Sequence, residues 1–242
     1  MSEARPAFYA LAPGGWRDYV TLLHPPYTLW HLSYIVIGAA LAPHFDAGLL
    51  GWTLVAFFLA LGIGAHALDE LRGHPLQLRI PTHVLYALGV TSVAAAAGIG
   101  IVIAAQRDLW LLAFVGVGAF LVFAYNLELF GGAFHSGVWF ALGWGAFPLL
   151  TAYFASARTV RIEAAAAAVF ATLLSHVQRV LSTPVRDVRR RATAVSGRID
   201  HTDGTATAID AETLTRVPEQ SLRALCGAVI VLAVALVLVR VT

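Results

Sequence analysis

The sequence predicts an all-α, polytopic membrane helical bundle, with about seven transmembrane helices around a cavity open to the cytoplasm. Three observations predict it. Of 242 residues, 59% are hydrophobic and only 12% are charged, whereas a soluble domain carries about a quarter charged residues; mean hydropathy is +0.75. The apolar residues gather into seven runs separated by clusters of Pro, Gly and charge, and a spanning helix needs about 20 mostly apolar residues. All 16 basic side chains are arginine, and they divide unevenly between the two ends of those runs. Net charge is only +2, so no nucleic-acid partner is expected; the partner that composition implies is the lipid bilayer. The single cysteine, Cys226, lies in an apolar run, which excludes an intrachain disulfide framework and a cysteine-built metal site.

Residues 1–20 contain Pro6, Pro13, Gly14 and Gly15 but no long apolar core. They read as an amphipathic lead-in and not as a cleaved signal peptide, with Phe8, Tyr9, Trp16 and Tyr19 suited to the membrane interface. The predicted spans cover residues 27–42, 49–71, 84–105, 109–125, 137–154, 164–181 and 222–241. Six of them form a membrane core over 21–181, and the seventh is a C-terminal transmembrane helix within 220–242. With the N-terminus inside, 12 arginines fall on the cytoplasmic side and 4 (Arg107, Arg158, Arg161 and Arg240) on the other. Basic residues favour the cytoplasmic side, so the expected location is the cytoplasmic membrane, with the N-terminus and a 182–219 loop in the cytoplasm. Within that loop, residues 198–210 alternate polar and apolar around Asp203-Gly204, a hairpin signal.

Ionisable residues at membrane depth are costly, which makes each a functional candidate. The second span ends in His66, Asp69, Glu70 and Arg72, followed by Gly73 and Pro75, which terminate a helix. At about 100° per residue, His66, Asp69 and Glu70 share one face, so an imidazole and two carboxylates can converge on a cation. The same acids could instead pair with loop arginines at the water boundary. The fourth span closes on Tyr125, Asn126 and Glu128, with His135 beyond a Gly131-Gly132 hinge. The sixth carries His176, Gln178 and Arg179 and leads to Arg186 and the cluster Arg189 to Arg191. Arg179 and Arg186 could grip phosphate by forked hydrogen bonds, while the triple cluster suits topology and anionic lipid. His31, in the first span, could join a polar cavity, but a lone core histidine is more often satisfied by a backbone carbonyl. His24, His44, His83 and His201 receive no role.

The ends of the second, fourth and sixth spans thus bring polar residues to one side of the membrane. This order resembles the UbiA superfamily of intramembrane prenyltransferases over residues 24–187. His24-Pro25-Pro26-Tyr27-Thr28-Leu29 resembles the family's Arg-Pro-like start. Ala65-His66-Ala67-Leu68-Asp69-Glu70-Leu71-Arg72-Gly73 and Arg79-Ile80-Pro81 occupy the places of its Asn-Asp-x-x-Asp-x-x-x-Asp and Arg-x-Ile-Pro motifs. The stretch from Ala124-Tyr125-Asn126 through Phe140-Ala141 to Phe147-Pro148 looks like its fourth and fifth helices. The departures are specific. Only Asp69 keeps an acidic position of the first motif, with Ala65, His66 and Gly73 at the others. The second acidic motif is reduced to Asp187, and there are about seven spans where the family usually has nine.

The resemblance implies prenyl transfer from a prenyl diphosphate to an isoprenoid or other lipid substrate with metal assistance. Asp69, Glu70, Glu128 and Tyr125 are then the expected catalytic residues, with Tyr125, Phe123 or other cavity aromatics facing the allylic cation. Arg72, Asn126, Gln178, Arg179 and Arg186 are the expected substrate-binding residues, and Mg²⁺ the expected metal. The residues themselves leave a second reading open. A metal set of His66, Asp69, Glu70, Glu128, His135 and His176 suits Fe, Mn or Zn better than Mg²⁺. Such a site would make the chain a repurposed UbiA-like scaffold doing other chemistry or binding a lipid or cofactor.

Overall fold

The computed structural model describes residues 5–242; the first four residues of the lead-in lie outside the described residues. The chain is all-helical apart from one short hairpin. The elements are α1 (Trp16–Leu22), α2 (Pro25–Leu41), α3 (Ala47–Glu70), α4 (Thr82–Gln106), α5 (Leu111–Asn126), α6 (Gly137–Ala157), α7 (Ile162–Arg191), β1 (Gly197–Asp200), β2 (Ala206–Ile209) and α8 (Ala211–Val241). Five of them, α3, α4, α6, α7 and α8, are long and apolar enough to cross a membrane, and the chain reads as an integral membrane protein. At 1.5 Å per residue, the 17 residues of α2 and the 16 of α5 reach only about 25 Å.

The core forms around α2, which packs between α6 and α8. Trp30, Tyr34 and Leu149 are fully enclosed there, with Ala171, Leu222 and Cys226 around them. The polar tips of this cluster satisfy one another. Trp30 Nε1 donates to the Tyr34 hydroxyl at 2.6 Å, and the Ser175 hydroxyl donates to the same oxygen at 3.2 Å, as a buried donor requires. Gly38 lets α2 approach α6 to backbone contact: a Cβ there would stand 2.2 Å from the Leu149 carbonyl oxygen.

Two helices widen locally into π-helix, α3 over Phe58–Ala65 and α6 over Leu142–Ala146. Such i→i+5 turns are rare and concentrate at functional sites. Here one ends immediately before His66, and the other contains Trp144.

At one end of the bundle, polar groups tie the helices together. Asp46 caps α3 by accepting the Leu49 N–H at 2.9 Å and pairs with Arg107. That N–H and the guanidinium hold its carboxyl below the usual carboxylate range. Arg240, near the end of α8, donates to the carbonyls of Ala40 and Ala42 at 2.6 and 2.8 Å.

At the opposite end the structure corrects the expected loop. Helix α7 does not stop at 181 but continues through Pro184 to Arg191, and α8 already begins at Ala211. Pro184 removes one backbone donor, and the hydroxyls of Ser182 and Thr183 donate to the Arg179 carbonyl across that turn. A capping box at Asp210 and Thr213 starts α8. The Arg189 guanidinium then clips to Glu219, at 2.5 and 2.9 Å, to join the two extensions. Only residues 192–210 connect them. Within that stretch the expected hairpin is present, with Gly197 opposite Ile209 and a turn in which Gly204 takes φ 82°.

Candidate functional site

A cavity of about 500 Å³ opens at the end of the bundle that carries the α7–α8 extensions. Its walls come from the lead-in, the start of α2, the ends of α3, α5 and α7, and the start of α6. Most of the residues singled out in the sequence meet there. His66, Asp69, Arg72, Tyr125, Asn126, Glu128, His135, Gln178, Arg179 and Arg186 all line it.

Two do not. His176 lies on the exposed side of α7. Glu70, 1% exposed, turns its carboxylate to the returning loop and accepts the N–H groups of Leu76 and Leu78, each at 3.0 Å. Asp69 and Glu70 are one residue, hence about 100°, apart on the helix. That step puts one carboxylate in the cavity and the other under the loop. Glu70 is therefore a loop clamp, as a buried carboxylate with two donors must be.

Of the remaining metal candidates, one is engaged by an arginine and two are oriented by backbone carbonyls. Glu128 pairs with Arg72 at 3.0 Å. His66 and His135 each donate Nδ1–H to a backbone carbonyl, of Gly62 and Tyr125 respectively, both at 3.0 Å. His31 does the same to Trp144 at 2.9 Å. A carbonyl can only accept, so these bonds fix the tautomer and leave each Nε2 with a lone pair. Among the described residues, no three His, Cys, Asp or Glu side chains come together as a cation site. The donor set as it stands does not fit the two-carboxylate-motif Mg²⁺ site that the resemblance implies.

Six arginines at this end of the bundle sort into two groups. Arg72, Arg189 and Arg191 have carboxylate partners in Glu128, Glu219 and Asp187. Arg179, Arg186 and Arg190, at i, i+7 and i+11 along α7, all line the cavity, and none has a carboxylate partner among the described residues. Arg179 donates to the Tyr125 hydroxyl at 2.6 Å and lies 5.5 Å from the Phe140 ring centroid. Among the described residues, Arg186 hydrogen-bonds to Thr183 and Arg190 to the Pro6 carbonyl. Facing them is Asp69, which has no hydrogen bond or ion pair among the described residues. Gln178 is 3% exposed, and its Oε1 also lacks a partner among them.

Several lining residues were not legible in the sequence. His24 stacks on His66 with centroids 4.0 Å apart and receives a hydrogen-bond contact from the Tyr9 hydroxyl at 3.0 Å. Its backbone is left-handed, φ 45°, at a cost of roughly 1–2 kcal/mol, and burial holds its imidazole well below the usual histidine range. Phe8 and Tyr9, expected at the interface, face inward, while Trp16 and Tyr19 are exposed as expected. Trp16 and Tyr19 lie on the short helix α1, whereas Phe8 and Tyr9 lie in the irregular stretch before it.

Tyr125, Phe140 and Trp144 form an aromatic wall with centroid separations of 4.4–6.1 Å. Trp144 lines a second, apolar chamber of about 100 Å³ as well, with Phe57, Leu61, Val93, Val122 and Phe147. A polar chamber and an apolar chamber thus share one indole. No family model, curated protein or solved structure matches the chain.

Proposed function

We propose that this protein is an intramembrane enzyme of UbiA-like architecture that transfers a prenyl group from a prenyl diphosphate to a lipid or isoprenoid acceptor. The observation that carries this reading is the shared Trp144 wall. An amphiphile with an anionic head and an apolar chain has, on the two sides of that wall, an arginine-lined chamber and a hydrocarbon-lined one. Few ligands other than a phosphorylated lipid need both.

In this reading the head lies along α7 and the first isoprene carbons lie at Tyr125, Phe140 and Trp144. The π faces of the three rings stabilise the allylic cation as the C–O bond to the diphosphate breaks, because a ring face attracts positive charge. Gln178 Oε1 accepts a hydrogen bond from the acceptor. Asp69 takes the proton released when the acceptor bonds to the cation. The diphosphate leaves toward the open end of the polar chamber.

The same reading takes the polar end as cytoplasmic. It counts α2 and α5 as spans, giving seven crossings, with snorkelling end residues compensating for their short length. Twelve arginines at the cavity end against four at the other support that orientation. Protease added to inverted membrane vesicles is expected to cut the 192–210 connection at Arg198, and protease added to intact spheroplasts to leave it whole. The opposite pattern would reverse the topology.

The activity test uses protein in nanodiscs with labelled C15 and C20 prenyl diphosphates and extracted membrane lipids as acceptors. Transfer of label to lipid is expected, and Trp144→Phe should lower it, with thermal unfolding measured beside it because Trp144 is also a core residue. Release of no diphosphate from any donor would exclude prenyl transfer. A second reading, the same scaffold with histidine-centred metal chemistry, is favoured by the fixed tautomers of His66 and His135. Stoichiometric Fe, Mn or Zn in purified protein, lost in His66→Ala, would select it.

A further inference from the structure

We infer that the phosphate head of the ligand is held by guanidinium groups alone, Arg179, Arg186 and Arg190, without a bridging divalent cation. This rests on the phosphorylated-lipid reading above and departs from the metal-dependent mode that the resemblance implies.

The argument is one of charge pairing. Burying like charges together without counter-charge is unfavourable; at this end of the bundle Arg72, Arg189 and Arg191 each meet a carboxylate. Among the described residues, the three arginines on the cavity face of α7 meet none. Between them they face one unpaired carboxylate, Asp69, so the chamber carries an excess of positive charge that the ligand itself must balance. A diphosphate monoester supplies two to three negative charges and an array of acceptor oxygens suited to forked guanidinium donors.

The carboxylates point the same way. A diphosphate bound through Mg²⁺ needs acidic side chains free to hold the ion. Here Glu70 serves two backbone N–H groups, Glu128 is paired with Arg72 and Asp187 with Arg191, which leaves Asp69 as a single unengaged carboxylate where such an ion needs several. At the place where the family's second acidic motif would present only anions, α7 presents Arg186 and Arg190 beside one carboxylate, Asp187. The site has the electrostatics of a bound metal cluster, built from side chains.

The spacing supports one shared ligand. Residues i, i+7 and i+11 lie on one helical stripe, so Arg179, Arg186 and Arg190 form a ladder about 16 Å long at 1.5 Å per residue. Arg179 sits at the deep, aromatic end, held by Tyr125, and Arg190 at the mouth, held by the Pro6 carbonyl. A diphosphate bound at Arg186, the middle of the ladder, would lie between Arg179 and Arg190, with its ester end toward Tyr125.

The test is binding of radiolabelled inorganic diphosphate and of a C15 prenyl diphosphate to the full chain in nanodiscs, with 5 mM EDTA or 5 mM Mg²⁺. The affinity for the prenyl diphosphate is expected to agree within about twofold between the two conditions. Arg186→Gln should weaken binding by about 10- to 100-fold, the loss of one or two charge-assisted hydrogen bonds. Arg186→Lys should recover part of it, and Arg198→Gln, on the distant hairpin, should bind as wild type. Equal thermal unfolding of the variants separates lost binding from lost fold. Binding that appears only with Mg²⁺ would overturn the metal-free mode and leave the phosphorylated-lipid reading standing. Failure of folded wild type to bind either probe in both conditions would remove that reading, and this inference with it.

Discussion

Glu70→Ala is expected to destabilise the protein by about 3–5 kcal/mol, while Asp69→Asn, one residue earlier, abolishes activity and leaves stability within about 1 kcal/mol. The two acids look equivalent in the sequence, and their surroundings separate them. The Glu70 carboxylate is enclosed and accepts two N–H groups of the 73–78 loop, with His74 Nδ1 at 3.7 Å. Removing it leaves both donors buried without acceptors, and each bond to a charged group is worth about 1.5–3 kcal/mol. Glu70→Gln should fall between, because a single amide oxygen satisfies one N–H and its NH₂ opposes the other. Asp69 is partly exposed to the cavity and holds nothing in place, so its amide leaves the fold intact and removes the proton acceptor. Thermal unfolding in detergent beside the prenyl-transfer assay reads both effects. A stable Glu70→Ala protein that has lost only activity would return Glu70 to the site and refute its role as a clamp.

The second large effect is expected at Gly38. The Cβ of Gly38→Ala would lie 2.2 Å from the Leu149 oxygen, 3.0 Å from its carbonyl carbon and 3.2 Å from its Cα. All three are backbone atoms, so no rotamer change relieves the overlap, and α2 must move off α6. The displaced surface is the one that encloses Trp30, Tyr34 and Leu149. Overpacking usually costs about 1–3 kcal/mol; with a backbone carbonyl as the obstacle, the cost should exceed about 3 kcal/mol and folded protein should fail to accumulate. Gly51→Ala is the matched control. A Cβ there meets nothing within 4 Å, and the gain in helix propensity, up to about 1 kcal/mol, should raise the unfolding temperature slightly. Equal behaviour of the two variants in size-exclusion profiles and unfolding temperature would refute the close-approach argument.

These contrasts mark what was legible in the sequence. The helices were, because apolar runs bounded by Pro, Gly and Arg depend only on local composition. So was the gathering of the second, fourth and sixth run ends, because alternation of direction follows from helices crossing one slab. The hairpin was legible too, since Asp203-Gly204 sets its turn through side-chain and φ requirements that are local. The continuation of α7 to Arg191 was not. Pro184 and a run of arginines carry a loop signal, and what keeps the segment helical is packing against α8 through Glu219, thirty residues away. Nor was the inward turn of Tyr9 and His24 legible, since an aromatic or imidazole in a lead-in has no periodicity to say which side it faces. Trp144 was hidden for a different reason: in an apolar helix an indole facing lipid and an indole facing a cavity have the same neighbours in sequence. Asp69 and Glu70 differ only by a loop that folds back over one edge of their helix.

The π-helical stretch Phe58–Ala65 bears on all of this. Each i→i+5 closure takes up one residue more than an α turn, and one residue is about 100° of rotation. Everything after the stretch is therefore set at an angle that the side chains themselves do not encode. A sibling sequence one residue shorter there, with the same His66 and Asp69, would aim them at lipid or at a neighbouring helix and would have an empty-handed cavity. The aim of the site is stored in the pitch of an all-apolar segment, where alignment of its polar residues alone would never look for it.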